Sequence, residues 1–499
     1  MKNTKYILGI ALMIAAMPAC KKFVDYKPVE DYQITADDYF KTADDYKKLV
    51  VGTYSPLQWI WADVVIGDIA SDNSVSGGEN ATDQIGFQQI DDYTIVANNS
   101  YLTEAWKSCY EGINRANYLQ ENKGKLDFRG KDALYGEVYF LRAYYYFELV
   151  RMFGDVPLFV DKRLTVAESG TIQRAAKADV YAQIEKDLND AIEVLPITNL
   201  QKGRITKYAA QALLGKVLLY QNKFDESAAM LENVVNAPSF QLVGYPNSGS
   251  FADIFLQGGE NGTESVFEIQ YSNGSPYYDW SNPGRGQGNL AVQVCGIRNI
   301  TGNSPYGQGW STNLPTTDLA NAFAAGDTRK TVTVLDIEAY KTANPSLNIT
   351  YLTAPYKNTG LYNQKYLPRK GETSGQVELN YLNNFRTIRF ADVLLMAAEA
   401  NNRATAANDT KAQEYLNKVR RRAFADNAHD INATGAALKQ AIWDERRLEF
   451  AMEGDRFFDL VRTGQAAAKI TGFVTGKNEL FPLPQQEVDI SGLAQNPGY

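Results

Sequence analysis

The chain runs to 499 residues, 44% of them hydrophobic and 12% aromatic, with 31 tyrosines, three cysteines, one histidine and a formal charge of −8. The acidic balance excludes nucleic acid as a partner, three cysteines are too few for a disulfide framework, and a lone histidine removes most histidine-dependent catalysis. Stability must come from size and packing, and so many aromatic rings leave some over to face a ligand.

The N-terminus MKNTKYILGIALMIAAMPAC sets Lys2 and Lys5 before an apolar run and small residues before Cys20. This is the layout of an export signal over residues 1–19. A cysteine directly after Ala19 resembles a bacterial lipobox, in which cleavage leaves Cys20 as a lipid-modified N-terminus; a soluble periplasmic product is the alternative. Acyl chains, at about 0.8 kcal/mol per buried methylene, would hold the protein on a membrane without a spanning helix. Loss of the leader removes two lysines and takes the charge to −10.

Periodicity predicts helices over 104–121, 132–152, 177–194, 206–221 and 225–235. The second contains EVYFLRAYYYFELVRMFGDVPL, residues 137–158. Tyr139, Phe140, Ala143, Tyr146, Phe147 and Val150 make one stripe, and Tyr144, Tyr145, Leu149 and Met152 cover much of what remains, so this helix must be buried on nearly every side. Arg142, Glu148 and Arg151 break the run short of the roughly 20 apolar residues a bilayer requires. Glu148 and Arg151 are spaced to pair at i,i+3, and Gly154 with Pro157 ends the helix. Trp59 and Trp61, in an apolar run near the N-terminus, are expected in the core.

Between 206 and 235, Ala209, Leu213, Val217 and Tyr220 recur at helical spacing, the turn QNKF is short, and Ala228, Leu231, Val234 and Val235 line the next helix. The pattern resembles tetratricopeptide hairpins. Helices return over 389–401, 411–422 and 436–452. The predicted fold is mainly α: a tetratricopeptide-like superhelix with long irregular loop insertions and a few short strands. Regions 20–236 and 237–499 are expected to form one interlocked unit interrupted by a loop insert at 237–384. Within the insert VFEIQY, 266–271, alternates like a strand. SNGSPYYDWSNPGRGQGN and GNSPYGQGWSTNLP read as loops with turn chemistry. Aromatic loops on a rigid scaffold suit recognition, and GDIASDNSVSGGENATDQIGF, 67–87, is another such loop.

Catalytic and metal motifs are weak. His429, in DNAHDIN, reads as a solvated loop histidine with no serine elbow or cysteine neighbour. Asp68 and Asp72 could face a cation but lack EF-hand spacing, and GRGQGN at 284–289 lacks the strand and helix of a nucleotide fingerprint. No cofactor or metal is implied. Paired carboxylates would suffice for glycoside hydrolysis. The richest carboxylate segment, ERRLEFAMEGDRFFDLVRTG at 445–464, instead spaces Arg446, Glu449, Glu453, Arg456 and Asp459 for ion pairs along one helix face and its continuation.

Several of these stretches together resemble the SusD/RagB family of outer-membrane nutrient-binding lipoproteins. They are AWKSCYEGINRAN, EVYFLRAYYYFELVRMFGDVPL, GRITKYAAQALLGKVLLYQNKFDESAAMLENVV, GWSTNLPTTDLANAFAAGDTRK, FRTIRFADVLLMAAEA, ERRLEFAMEGDRFFDLVRTG and the closing FPLP and QNPGY. The resemblance implies a lipid-anchored, non-catalytic glycan-binding protein that lids a SusC-like TonB-dependent barrel transporter at the outer membrane. Peptide binding, a surface glycosidase and a tetratricopeptide adaptor are the alternatives. It makes Trp310 a candidate ligand contact and places Asp72 and Asn73 in a loop lining the ligand face. Tyr277, Tyr278, Trp280 and Tyr306, in the variable insert, are further candidates, since aromatic faces suit the C–H face of a sugar and polar neighbours its hydroxyls. Lys21, Lys22 and Phe23 stand after Cys20 where acidic residues often accompany surface export.

Cys20→Ala is expected to release the protein from membranes; a variant that still fractionates with outer membrane after a high-salt wash would overturn the lipobox reading.

Overall fold

The computed structural model describes residues 39–199, 201–274, 286–353, 355–372 and 380–499. Cys20, Tyr277, Tyr278, Trp280 and the side chain of Trp61 lie outside the described residues. The helical frame is α1 (Ala43–Tyr54), α2 (Trp61–Ile69), α3 (Ser100–Glu121), α4 (Lys131–Phe153), α5 (Lys177–Val194), α6 (Lys207–Tyr220), α7 (Phe224–Val235), α8 (Phe390–Arg403), α9 (Asp409–Phe424), α10 (Gly435–Glu449) and α11 (Arg456–Arg462). From α3 to α9 each helix packs on the next, α7 on α8 included, so the array runs on across the insert; α10 then packs on both α8 and α9. This is the expected tetratricopeptide-like superhelix.

Helix ends follow local chemistry. The Asn99 side chain accepts from the N–H groups of Tyr101 and Leu102, which starts α3 ahead of the predicted 104. Gly154 ends α4 at φ +74°, and its N–H bonds to the Val150 carbonyl at 3.1 Å. The helix 436–452 stops early, at Glu449, because the chain turns through left-handed Met452 (φ +66°) and Gly454 (φ +88°).

The tyrosine-rich α4 is buried around its circumference, with Tyr144, Tyr145, Tyr146 and Phe147 each at most 4% exposed. Its phenols are satisfied outside the helix: Tyr145 donates to the Thr53 carbonyl at 2.8 Å and Tyr146 to that of Phe159 at 2.9 Å. Arg142 forks onto Asp187 of α5 at 2.8 and 2.7 Å, and Glu148 pairs with Arg151 as expected. Gly112 of α3 lies under the Tyr145 ring, where a Cβ would sit 2.2 Å from a ring carbon. That missing side chain sets how closely α3 and α4 approach. Residues 43–69 are long and apolar enough to cross a membrane by composition, but a 3₁₀ turn at Ser55–Trp59 breaks them and Tyr46, Val50, Trp59, Val65 and Ile66 are buried.

Strands are short and pair two by two, all antiparallel. Beside a two-residue pair, Val156–Pro157 with Arg174–Ala175, the described residues hold β1 (Ser74–Ser76), β2 (Ser265–Ile269), β3 (Asn313–Pro315), β4 (Val334–Asp336), β5 (Leu361–Asn363) and β6 (Phe385–Arg389), paired β1–β3, β2–β6 and β4–β5. The predicted strand at 266–271 is β2. Its partner β6 leads straight into α8, which ties the insert to the superhelix. Cys109 and Cys295 are buried and no disulfide joins them.

A buried ion network closes the seam between insert and helices. Glu449, at the end of α10, accepts from Arg389 (2.8 Å), Arg422 (2.5 Å) and Arg329 (3.1 Å). Arg389 also reaches Glu264 (2.8 Å) and forks onto Glu453 (2.9 and 2.8 Å), while Lys365 donates to Glu453 at 2.6 Å. The expectation that the charges of 445–464 pair with one another is therefore corrected. Asp459 does take Arg446 at 3.0 Å, but Glu449 and Glu453 draw their partners from the insert, β6 and α9, and Arg456 pairs with Asp72. Once the helix breaks at Glu449, the i,i+4 ladder has no common face.

Burial opposes the ionisation of Glu449, but Arg422, Arg389 and Arg329 outweigh it and hold the carboxyl well below the usual range. Lys365 goes the other way, pushed down to about 8 mainly by burial. Asp68, in α2, is held by neutral donors: it accepts from Asn313 Nδ2 (2.9 Å) and the Gly454 N–H (3.0 Å), and burial pushes it up to about 7.

Glu449→Gln should leave the three guanidinium groups underpaired and destabilise the fold by roughly 3–5 kcal/mol in denaturant titration. Because the folded pKa is depressed, this contribution is full above the unfolded value near 4.5 and is lost as pH falls, so the gap to wild type should narrow in acid. Asp68→Asn has the opposite sign. The raised carboxyl costs nothing below the unfolded value of 3.8, and its cost grows until about pH 7. The variant should thus gain on wild type across that window, by roughly 4 kcal/mol at most, and equal pH profiles would refute the assignment.

Candidate functional site

The loop after α2 is shaped by its own hydroxyls before it meets anything else. Ser71 Oγ donates to the Asp68 carbonyl at 2.6 Å and accepts from the Asn73 N–H at 3.1 Å, a turn that sends the chain into β1. There Ser74, Val75 and Ser76 face Pro315, Leu314 and Asn313. Beyond β1 the pairing continues as backbone contact: the Gly77 N–H bonds to the Thr312 carbonyl at 2.7 Å, and a Cβ on Gly77 would sit 2.2 Å from the Ser311 oxygen. Only glycine fits there. On the far side, the Tyr356 N–H donates to the Gly78 carbonyl at 2.8 Å. Three loops, at 74–83, 296–316 and 351–357, are thus stitched together.

Arg298 organises this patch. Its guanidinium donates to Asp83 at 2.5 Å, to Glu79 at 3.4 Å and to the Trp310 carbonyl at 2.9 Å. Trp310 is half-buried, and its N–H bonds to the Gln293 carbonyl at 2.9 Å. With the Gln293 amide oriented to donate to the Gln308 carbonyl, its oxygen accepts from the indole N–H at 3.1 Å. The indole is thereby pinned at its polar edge. Glu79, exposed, and Asp83, half-buried, are tied to it through Arg298. Such a surface offers a fixed aromatic ring beside acceptors and donors, the chemistry that orients a polyhydroxylated ring.

The other expected site residues fall elsewhere. Asp72 is forked onto Arg456 at 2.7 and 2.8 Å and lies 3.3 Å from Arg447. Although burial opposes it, Arg456 holds the Asp72 carboxyl below its ordinary range. Asn73 is fully buried, and its oxygen accepts from Arg447 at 2.8 Å. With no surface, Asn73 cannot meet a ligand, and Asp72 is committed to arginines; both clamp the loop to α10 and α11. Tyr306 is 8% exposed, packs on Tyr340 at 5.7 Å and accepts from Gln364 at 3.3 Å, so it belongs to the small core of the insert. Asp68 and Asp72 share no site, since one takes amide donors and the other arginines. His429 sits in its polar turn, stacked on Phe424 at 3.9 Å with Nδ1 2.9 Å from Asp426. Arg298, Asp83 and Tyr356 were not anticipated. Each is a lone residue in a loop, and only the fold brings Arg298 and Asp83 to Trp310 and Tyr356 to Gly78.

Comparison with known proteins is consistent across methods. Residues 349–480 match the family model described as the SusD family, and residues 22–219 match one described as starch-binding, associating with outer membrane. SusD-like protein P2 of Formosa agariphila is 28% identical over 433 residues, spanning 82% of this chain and 80% of its own. Among solved structures, a laminarin-binding SusD-like protein superposes with a TM-score of 0.83 at 34% identity, covering 92% of this chain and 100% of that one. Surface glycan-binding protein A from Bacteroides thetaiotaomicron, in complex with laminarihexaose, gives a TM-score of 0.80 at 26% identity, with 91% and 100% covered. On its helical array, its stitched loops and this end-to-end similarity, the chain belongs to the SusD/RagB family.

Proposed function

We propose that this protein is a cell-surface glycan-binding lipoprotein, anchored in the outer membrane through Cys20, that captures an oligosaccharide and delivers it to a SusC-like TonB-dependent barrel without itself catalysing a reaction. The observation that carries this reading is the 34% identity to a laminarin-binding SusD-like protein along that protein's whole length. The patch around Trp310 supplies a physical basis. A pinned indole beside Arg298, Asp83 and Glu79 gives a sugar ring an apolar face to lie on and groups to orient its hydroxyls. Tyr277, Tyr278 and Trp280, outside the described residues, are candidates to extend that surface. Asp72 and Asn73 act behind it by fixing the loop.

The test is titration of the purified protein lacking residues 1–20 with laminarihexaose. Saturable binding without release of new reducing ends is expected, and Trp310→Ala should weaken it about 10- to 30-fold, the roughly 2 kcal/mol of a truncated aromatic anchor. Sustained turnover would overturn the binding assignment in favour of a glycosidase. Unchanged affinity in the Trp310 variant would move the site elsewhere.

A further inference from the structure

A crevice of about 370 Å³ opens between α3, the connection at 157–172 and the short helix Gln485–Ser491. It shares no lining residue with the Trp310 patch. Its floor is aromatic and apolar. Trp106 and Pro157 are buried, and Tyr110 and Phe159 are half-buried with ring planes 10° apart and centroids at 5.8 Å. Both rings are fixed from behind: the Tyr110 hydroxyl donates to the Pro157 carbonyl at 2.8 Å, and the Phe159 carbonyl accepts from Tyr146 at 2.9 Å. Val166, at the lip, is 92% exposed.

The polar groups of the crevice are of both kinds, with Lys107 and the hydroxyls of Thr165, Ser169 and Ser491 beside the acceptors. Glu111 and Glu487 line it, the latter accepting from the Trp106 indole. Asn114 lines it too, with its side-chain oxygen buried behind the surface. Lys107 in the lining and Arg115, which pairs with Glu111 at 3.0 Å, balance the two carboxylates, so the crevice has no surplus charge of either sign to hold an ionic headgroup. Flat rings over an apolar floor are a poor setting for a metal ion, which would need the carboxylates convergent. A neutral ligand with an apolar ring face and several hydroxyl donors meets both halves of the lining, and the volume sits near the lower end of the about 300–1,000 Å³ typical of ligand pockets.

We propose that this crevice is a second saccharide-binding subsite that takes one or two sugar rings over Tyr110 and Phe159, with hydroxyls donating to Glu111 at its rim. The choice of probe rests on the glycan reading above. Two separate subsites would let one long polysaccharide, or two of its branches, engage the protein with higher avidity than either site alone.

Calorimetric titration with laminarihexaose of wild type, Trp310→Ala, Phe159→Ala and Glu111→Ala tests this. Two binding events are expected in wild type. Phe159→Ala should weaken one of them at least 10-fold and leave the other unchanged, and Trp310→Ala should do the reverse. Phe159 is half-buried, so thermal unfolding accompanies each titration, and Glu111→Ala, at a half-exposed rim position, must weaken the same event as Phe159→Ala. A single event that Trp310→Ala removes and the crevice variants leave alone would keep the proposed function and overturn this subsite. Absence of binding in every protein would overturn both.

Discussion

Glu449 is the residue on which the rest of the architecture depends. It lies with no exposed surface among Arg329, Arg389 and Arg422, and each of those arginines enters from a different part of the chain. Buried charges cost several kcal/mol apiece to desolvate, so they persist only where opposite charges and hydrogen bonds surround them. Here the compensation is shared. Arg389 is divided among Glu264, Glu449 and Glu453, and Arg329 among Asp327, Glu445 and Glu449. An apolar seam could slide by one side chain without leaving a large penalty. This one cannot, because any shift would strand a charge in the interior. The network therefore acts chiefly on geometry: it fixes where the insert sits on the superhelix.

The turn at 450–455 carries that constraint to the site. Glu453 belongs to the network through Lys365 and Arg389, while Gly454 presses its backbone against α2, where a Cβ on Gly67 would lie 1.7 Å from its carbonyl oxygen. The Gly454 N–H holds Asp68, which in turn holds Asn313 of β3. Asp455 closes the far side, pairing with Lys216 of α6 at 2.7 Å and with Arg151 of α4 at 3.3 Å. Just beyond, Arg456 takes Asp72. Four consecutive residues, 453–456, thus connect helical core, ion network and candidate binding loops. Loops positioned this way lose little further freedom when a ligand arrives, which favours affinity.

The helices were legible because burial of one face imposes a 3.6-residue rhythm whatever the partner is. The tyrosines of α4 were legible as core for the same reason, since rings on every side of a helix leave no side for water. Charge pairing was only half legible. The spacing of Arg446, Glu449, Glu453 and Arg456 is what an i,i+4 ladder would have, but the sequence gives no sign that Met452 and Gly454 turn left-handed and break the face. Short strands such as β1 and β3 leave almost no pattern, because three residues cannot display a period of two. The partners of Asp72 were not legible: a carboxylate that faces arginine from 384 residues away looks, in sequence, the same as one that faces solvent.

That asymmetry has a physical origin. Packing is dictated by periodic, local regularities, whereas a recognition surface is assembled from single residues that the fold happens to bring together, as Arg298 is brought to Asp83 and Trp310. An aromatic-rich chain sharpens the difference. Most of its rings serve the interior, where close packing and buried phenols give rigidity, and a ring becomes available to a ligand only where its polar edge is anchored and part of its surface is left open. Trp310 in the loops and Tyr110 on α3 each have an anchored polar edge and are half-buried. What distinguishes these rings from the buried tyrosines beside them is exposure alone, since Tyr145 and Tyr146 are anchored to backbone carbonyls as well.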